Sequence, residues 1–159
     1  MIRRDYLERL IQQVVQALAL VMGLRDAGDL DVAMERLDET KDLVLGPYRL
    51  MLERLDPLSI SQLIGQVDLD RVRLFALLLA EESQLVRSSP KPELADSIAR
   101  HSLELYGACS LAGCRLQPTD LERIAALHAS GPDLQSIHPE LQAELLRIGS
   151  TDLGEPAST

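Results

Sequence analysis

Between Asp5 and Ala27, apolar residues recur at Leu7, Leu10, Ile11, Val14, Leu18, Val21 and Leu24. Steps of three and four place them on one face of a long first helix. Its second half, Val14 to Leu24, is apolar nearly all round, so other helices must enclose it. The rest of the chain agrees. Its 46% hydrophobic content comes from Leu, Ala, Val and Ile, with only 3% aromatic residues, and Leu and Ala favour helix where aromatic and β-branched residues favour strands. The expected fold class is all-α. At 159 residues the chain forms one domain that can bury about 70% of its unfolded surface without metal or disulfide staples.

The remaining elements follow from apolar spacing and breakers. Gly28-Asp29 ends the first helix, and Leu30 to Leu45 keeps Val32, Ala33, Leu37 and Val44 on an inner face. Gly46-Pro47 stops it, and a short piece runs from Tyr48 to Leu55. Ser59 with Gln62 reads as a capping box for a brief helix through about Gly65. Leu69 to Arg87 holds the most apolar run, Leu74 to Ala80, and is expected to be the central, most buried helix. Ser88-Ser89-Pro90-Lys91-Pro92 is the clearest loop, and a helix resumes from Pro92 to about Ala112. Thr119 with Glu122 reads as a second capping box for a helix to about Ala129, and Pro139 opens a last one to Ile148. The expectation is seven or eight helices over residues 1–148 and a flexible tail over 149–159.

Gly28-Asp29-Leu30-Asp31-Val32-Ala33 resembles the opening of the second helix of a tetratricopeptide repeat, where Gly makes the turn and a small Ala lets two helices approach. Pro92-Glu93-Leu94-Ala95 offers a similar opening, but Ala33 and Ala95 are 62 residues apart, so the likeness is to irregular helical hairpins rather than a regular array. Met1-Ile2-Arg3-Arg4-Asp5-Tyr6, with Leu10-Ile11-Gln12, Gly28-Asp29 and the leucine-rich helix ending Ala80-Glu81-Glu82, resembles a bacterial family known only as a domain of unknown function with tetratricopeptide-like helices. The resemblance implies the fold and carries no catalytic residue.

Charge narrows the partners. Sixteen basic against 25 acidic residues give a formal charge of −9, which opposes direct binding of nucleic acid and of anionic lipid. Arg3-Arg4 before an apolar stretch imitates an export signal, but Glu8 and Arg9 interrupt it. The uncharged run Leu10 to Leu24 is 15 residues long and contains three Gln, short of the roughly 20 apolar residues that span a bilayer. No membrane association and a reducing, cytoplasmic location are expected. Cys109 and Cys114 read as two small buried hydrophobes, with redox or metal chemistry as the alternative. On a continuous helix their Cα atoms would stand roughly 8–9 Å apart, beyond disulfide reach unless the helix breaks at Gly113.

Motifs for chemistry are few. His101 and Glu104 share a helix as a single His-x-x-Glu, and His128 and His138 lack a matching carboxylate, so no metal site is expected. Asp26, Asp29 and Asp31 lack the ligand spacing of a calcium loop. No phosphate loop, nucleophile elbow or His-Glu-x-x-His occurs. No catalytic residue or cofactor is therefore assigned. With 14 Arg to two Lys, Arg71 and Arg73 beside the central helix are candidates for clamping an acidic peptide terminus. Leu7, Leu10, Val14, Ala17, Val21 and Leu24 repeat at heptad spacing, either as a self-association seam or as an internal one. The leading expectation is a non-enzymatic interaction or scaffold module that binds a protein or a second copy of itself. The alternative is a small helical enzyme or ligand carrier using a pocket beside the central helix.

Overall fold

The computed structural model describes residues 2–62 and 68–152, and among them every regular element is helical. Eight α-helices follow in order: α1 (Ile2–Asp26), α2 (Leu30–Leu45), α3 (Arg49–Arg54), α4 (Pro57–Gln62), α5 (Leu69–Arg87), α6 (Ala95–Leu111), α7 (Pro118–Ala129) and α8 (Pro139–Asp152). Short 3₁₀ turns at Gly46–Tyr48 and Pro92–Leu94 lead into α3 and α6.

The helices pack as two hairpins with additions. Gly28, at φ 83°, makes the turn between α1 and α2, and Ala33 on α2 is wholly buried. The α1–α2 pair lies against α5, mostly through α2, while α5 pairs with α6 along its length. The outer side of α6 carries α4 and α8, and α7 closes over both α5 and α6. From Val72 to Glu81 every residue of α5 is buried, because α1, α2, α6 and α7 enclose it on several sides. Its ends are set by Asp68, whose carboxylate accepts the Asp70 N–H at 3.1 Å, and by the loop after Arg87.

Three expected boundaries differ. The cap of α4 is Asp56, whose Oδ2 accepts the Ser59 N–H at 3.3 Å, so Ser59 lies inside the first turn; the expected end near Gly65 falls outside the described residues. In α7 the capping box joins Gln117 to Asp120, with the Gln117 N–H on Asp120 Oδ2 at 2.7 Å. Pro118 takes the first helical position and leaves its predecessor as the cap. Finally, α8 continues through Gly149 to Asp152, and the Ser150 hydroxyl donates to Leu146 O at 2.7 Å as part of that turn.

Candidate functional site

The helix α1 has two unlike faces. Leu10, Val14, Leu18 and Val21 are buried in the common core, while Leu7, Ala17 and Leu24 are half-buried at its margin. The six residues at heptad spacing thus face this chain's own helices. The opposite face is left open: Val15 is 59% exposed, Leu20 46% and Met22 38%. Gln12, Gln13, Gln16, Ala19 and Gly23 share that exposure, so the open surface of α1 from residue 12 to 23 carries no charge.

Two depressions flank the open face. One, of about 440 Å³, lies between α1 and α2 and is bordered by Gln13, Gln16, Leu20, Arg36, Glu39 and Leu43. The other, of about 320 Å³, runs between α1, α5 and α7 and is walled by Val15, Leu18, Ala19, Met22 and Leu77, with Thr119, Glu122 and Arg123 at its rim. The second is apolar along its floor and presents no convergent set of polar groups that would orient a small substrate. By length and mean hydropathy (1.3), Arg4–Asp26 also meets the requirement for crossing a bilayer, because Leu and Val offset the three glutamines; only 22% of its most apolar 18-residue stretch is buried.

The arginines of the expected clamp are engaged internally and on different sides of α5. Arg71 donates to Val44 O at 2.8 Å and to the Tyr6 hydroxyl at 3.0 Å, with its guanidinium 5.4 Å from the Tyr6 ring centre. It ties α5 to the end of α2 and the start of α1. Arg73, two residues on, is buried and donates to Asp120 Oδ2 at 3.0 Å. They form no joint carboxylate site.

Two further buried charge clusters were invisible in the sequence. Glu81 is wholly buried and accepts from Arg25 Nη1 at 3.2 Å and Arg123 Nη1 at 2.8 Å, joining α1, α5 and α7. Beside it, Lys41 of α2 donates to Glu82 Oε2 at 2.6 Å. Asp120 also accepts from the Tyr106 hydroxyl at 3.3 Å, and burial together with that carboxylate pushes the Tyr106 phenol well above its usual range. His101 lies edge-on to Phe75, with ring centres 6.0 Å apart, and burial pushes its pKa down. Glu104 has Arg100 Nε at 3.6 Å. Among the described residues no three His, Cys, Asp or Glu side chains come together as a ligand set.

At the end of α6 the helix does break. Gly113 has φ 90°, its N–H bonds Ser110 O at 3.0 Å, and the Cys114 N–H reaches back to Cys109 O at 2.9 Å. This pair of bonds is a Schellman motif, in which the third residue from the helix end and the second beyond it are brought together. Here those two residues are Cys109, buried, and Cys114, half-buried. Both are free.

No protein-family model, curated protein or solved structure matches the chain.

Proposed function

We propose that this chain is a non-enzymatic helical interaction module that pairs with a second copy of itself through the uncharged face of α1. The observation that carries the reading is the open surface from residue 12 to 23, which holds Val15, Leu20 and Met22 and no charged side chain in a chain of formal charge −9. A charged patch on a two-fold axis meets its own like charge, which disfavours pairing. Apolar side chains suit a copy of themselves, and a glutamine amide donates and accepts, so Gln12, Gln13 and Gln16 can each bond their counterparts. The two depressions beside this face would take the partner's Val15 and Met22 as they take side chains in helix-in-groove docking.

The α1–α2 hairpin, with its glycine turn and buried Ala33, supports the tetratricopeptide-like reading of the fold. Pairing is favoured over membrane insertion because Leu10, Val14, Leu18 and Val21 already serve the core. Carrying α1 into lipid would strip them from α2 and α5.

Native mass spectrometry and sedimentation test the reading at protein concentrations on the order of 10 μM, a range in which a modest interface is occupied. The expected result is a dimer without added ligand mass, converted to a folded monomer by Val15→Glu or Leu20→Glu. A monomeric wild-type chain, or a dimer that both substitutions leave intact, overturns it. A retained small molecule would instead favour the carrier reading.

A further inference from the structure

We propose that Cys109 and Cys114 are a redox-active pair, in which Cys114 is oxidised by a hydroperoxide and Cys109 resolves the product into an intramolecular disulfide. The geometry begins with the helix end. The 2.9 Å bond from the Cys114 N–H to Cys109 O, taken with standard backbone dimensions, holds the two Cα atoms within about 6.8 Å. Disulfides take Cα separations of about 4.4–6.8 Å, so the bond can close without unwinding α6. The turn already presses the two side chains together, since this is the position where a Schellman motif makes its side-chain contact.

Burial divides the roles. Cys109 is wholly buried and its thiol also lies 3.9 Å from Leu69 O, so a peroxide in solvent does not reach it first. Cys114 is half-buried and sits outside the helix. Burial raises the Cys109 pKa and keeps that thiol protonated, which leaves Cys114 the sulfur that ionises first. The charged groups around it are Arg73, which favours the thiolate, and Asp70 and Asp120, which oppose it.

Arg73 supplies the second observation. Its Nη1 is committed to Asp120, but Nε is buried without a hydrogen-bond partner and has only Asp70 Oδ1 at 3.8 Å. A buried guanidinium nitrogen left without an acceptor is costly. The positive charge of Arg73 favours an anion on Cys114, and a cationic neighbour is what makes a thiolate reactive.

The chemistry balances with a hydroperoxide as oxidant. The Cys114 thiolate attacks the terminal peroxide oxygen, the O–O bond breaks, and the alkoxide or hydroxide leaving group takes a proton from solvent, leaving Cys114 as a sulfenic acid. The Cys109 sulfur then attacks the Cys114 sulfur, hydroxide departs and takes the Cys109 proton as water. The two thiols together lose two electrons and the peroxide gains them.

The test uses the full chain, reduced and then treated with hydrogen peroxide. Tryptic cleavage after Arg100 and Arg115 leaves both cysteines on one peptide, so the disulfide appears as the loss of two hydrogens in that peptide's mass and as resistance to alkylation that a reductant reverses. Before oxidation, Cys114 should alkylate at neutral pH about tenfold or more faster than Cys109. Cys109→Ser should stop at a sulfenic acid on Cys114 that dimedone traps, and Cys114→Ser should leave Cys109 unreacted. Circular dichroism shows that each variant is folded. Disulfides between chains, dimedone on Cys109, or a Cys114 that reacts with peroxide no faster than free cysteine would each overturn the proposal.

Discussion

Arg73 of α5 and Asp120 of α7 meet at 3.0 Å, 47 residues apart in sequence, with the carboxylate wholly buried. Burial works against the charge on Arg73, but the Asp120 charge and hydrogen bond more than offset it, and the guanidinium holds its proton more tightly than usual. Asp120 also receives the Gln117 N–H and the Tyr106 hydroxyl. One carboxylate therefore caps α7, neutralises α5 and satisfies a buried phenol on α6. Asp120→Ala removes all three at once and strands the Arg73 charge. Breaking a buried pair by deleting one partner costs about 3–5 kcal/mol, and urea denaturation should show a loss of that size with an unchanged slope. A loss under about 1 kcal/mol would mean that water reaches Arg73.

Glu81 makes the companion prediction. Its two oxygens are shared between Arg25 of α1 and Arg123 of α7, and Arg25 also donates to Gln84 at 2.8 Å. Removing either arginine leaves the other to hold a buried carboxylate alone. Arg25→Ala and Arg123→Ala should each destabilise the fold, and the double variant should depart from additivity by about 0.5–3 kcal/mol, as groups in one network do. Strict additivity in a double-mutant cycle would show that the two contacts act separately.

How far the sequence could be read depends on whether the deciding interaction is local. The limits of α5 are legible because the apolar run Leu74 to Ala80 marks its centre and Ser88-Ser89-Pro90 follows its last residue, Arg87, and the α1–α2 turn because Gly28 has few alternatives. The start of α7 misleads because Thr119-x-x-Glu122 matches a capping box as well as Gln117-x-x-Asp120 does; Pro118 at the first helical position is the signal that separates them. The heptad in α1 shows that one face is covered but not by what. The Arg73–Asp120 and Glu81 clusters are invisible for a plainer reason, since their partners come from helices brought together only by packing. The cysteine pair is half-legible: Gly113 marks the break, and the left-handed turn it permits brings the Cys114 backbone back to Cys109.

Neighbouring valines on α1 test the division of its faces. Val14 is wholly buried and Val15 is 59% exposed. Val14→Asp places a carboxylate in the core without a partner, at a cost of several kcal/mol, and should unfold the chain or lower its melting temperature sharply. Val15→Glu should leave the stability of the monomer within about 0.5 kcal/mol. Thermal melts followed by circular dichroism distinguish the two. Similar losses in both variants would mean that the outer face of α1 is also covered within the chain.

Gly107 of α6 faces Leu141 and Leu145 of α8. A Cβ there would lie 3.5 Å from Leu141 O and from Leu145 Cγ, which is ordinary contact. Gly107→Ala removes a helix-interior glycine, worth up to about 1 kcal/mol, and should raise stability slightly. Gly107→Leu has no such room and should force α8 away from α6, exposing Leu141 and Leu145. Chemical denaturation should therefore move in opposite directions for the two substitutions.

Acidity should weaken the fold through His101. Burial first, and then the charges of Lys41 and Arg100, hold its pKa below the ordinary 6.5, against the opposing pull of Glu53 and Glu82; burial does the same to His128. In the unfolded chain both return to about 6.5, so between that value and the folded one the unfolded state binds more protons. Stability from these groups is then complete above pH 6.5 and is lost as pH falls through the folded pKa values. Glu104 has the opposite sign: burial raises its pKa above the ordinary 4.5, so its contribution is present below that value and lost as pH rises through the folded pKa. Urea titrations at pH 7.5 and 5.5 should show a clear loss at the lower pH, reduced in His101→Gln, which keeps the ring's approximate volume without its charge. Glu104→Gln should be more stable than the wild type at pH 7.5 and lose that advantage on acidification. A pH slope that His101→Gln leaves untouched would show that His101 is not the source of the acid sensitivity.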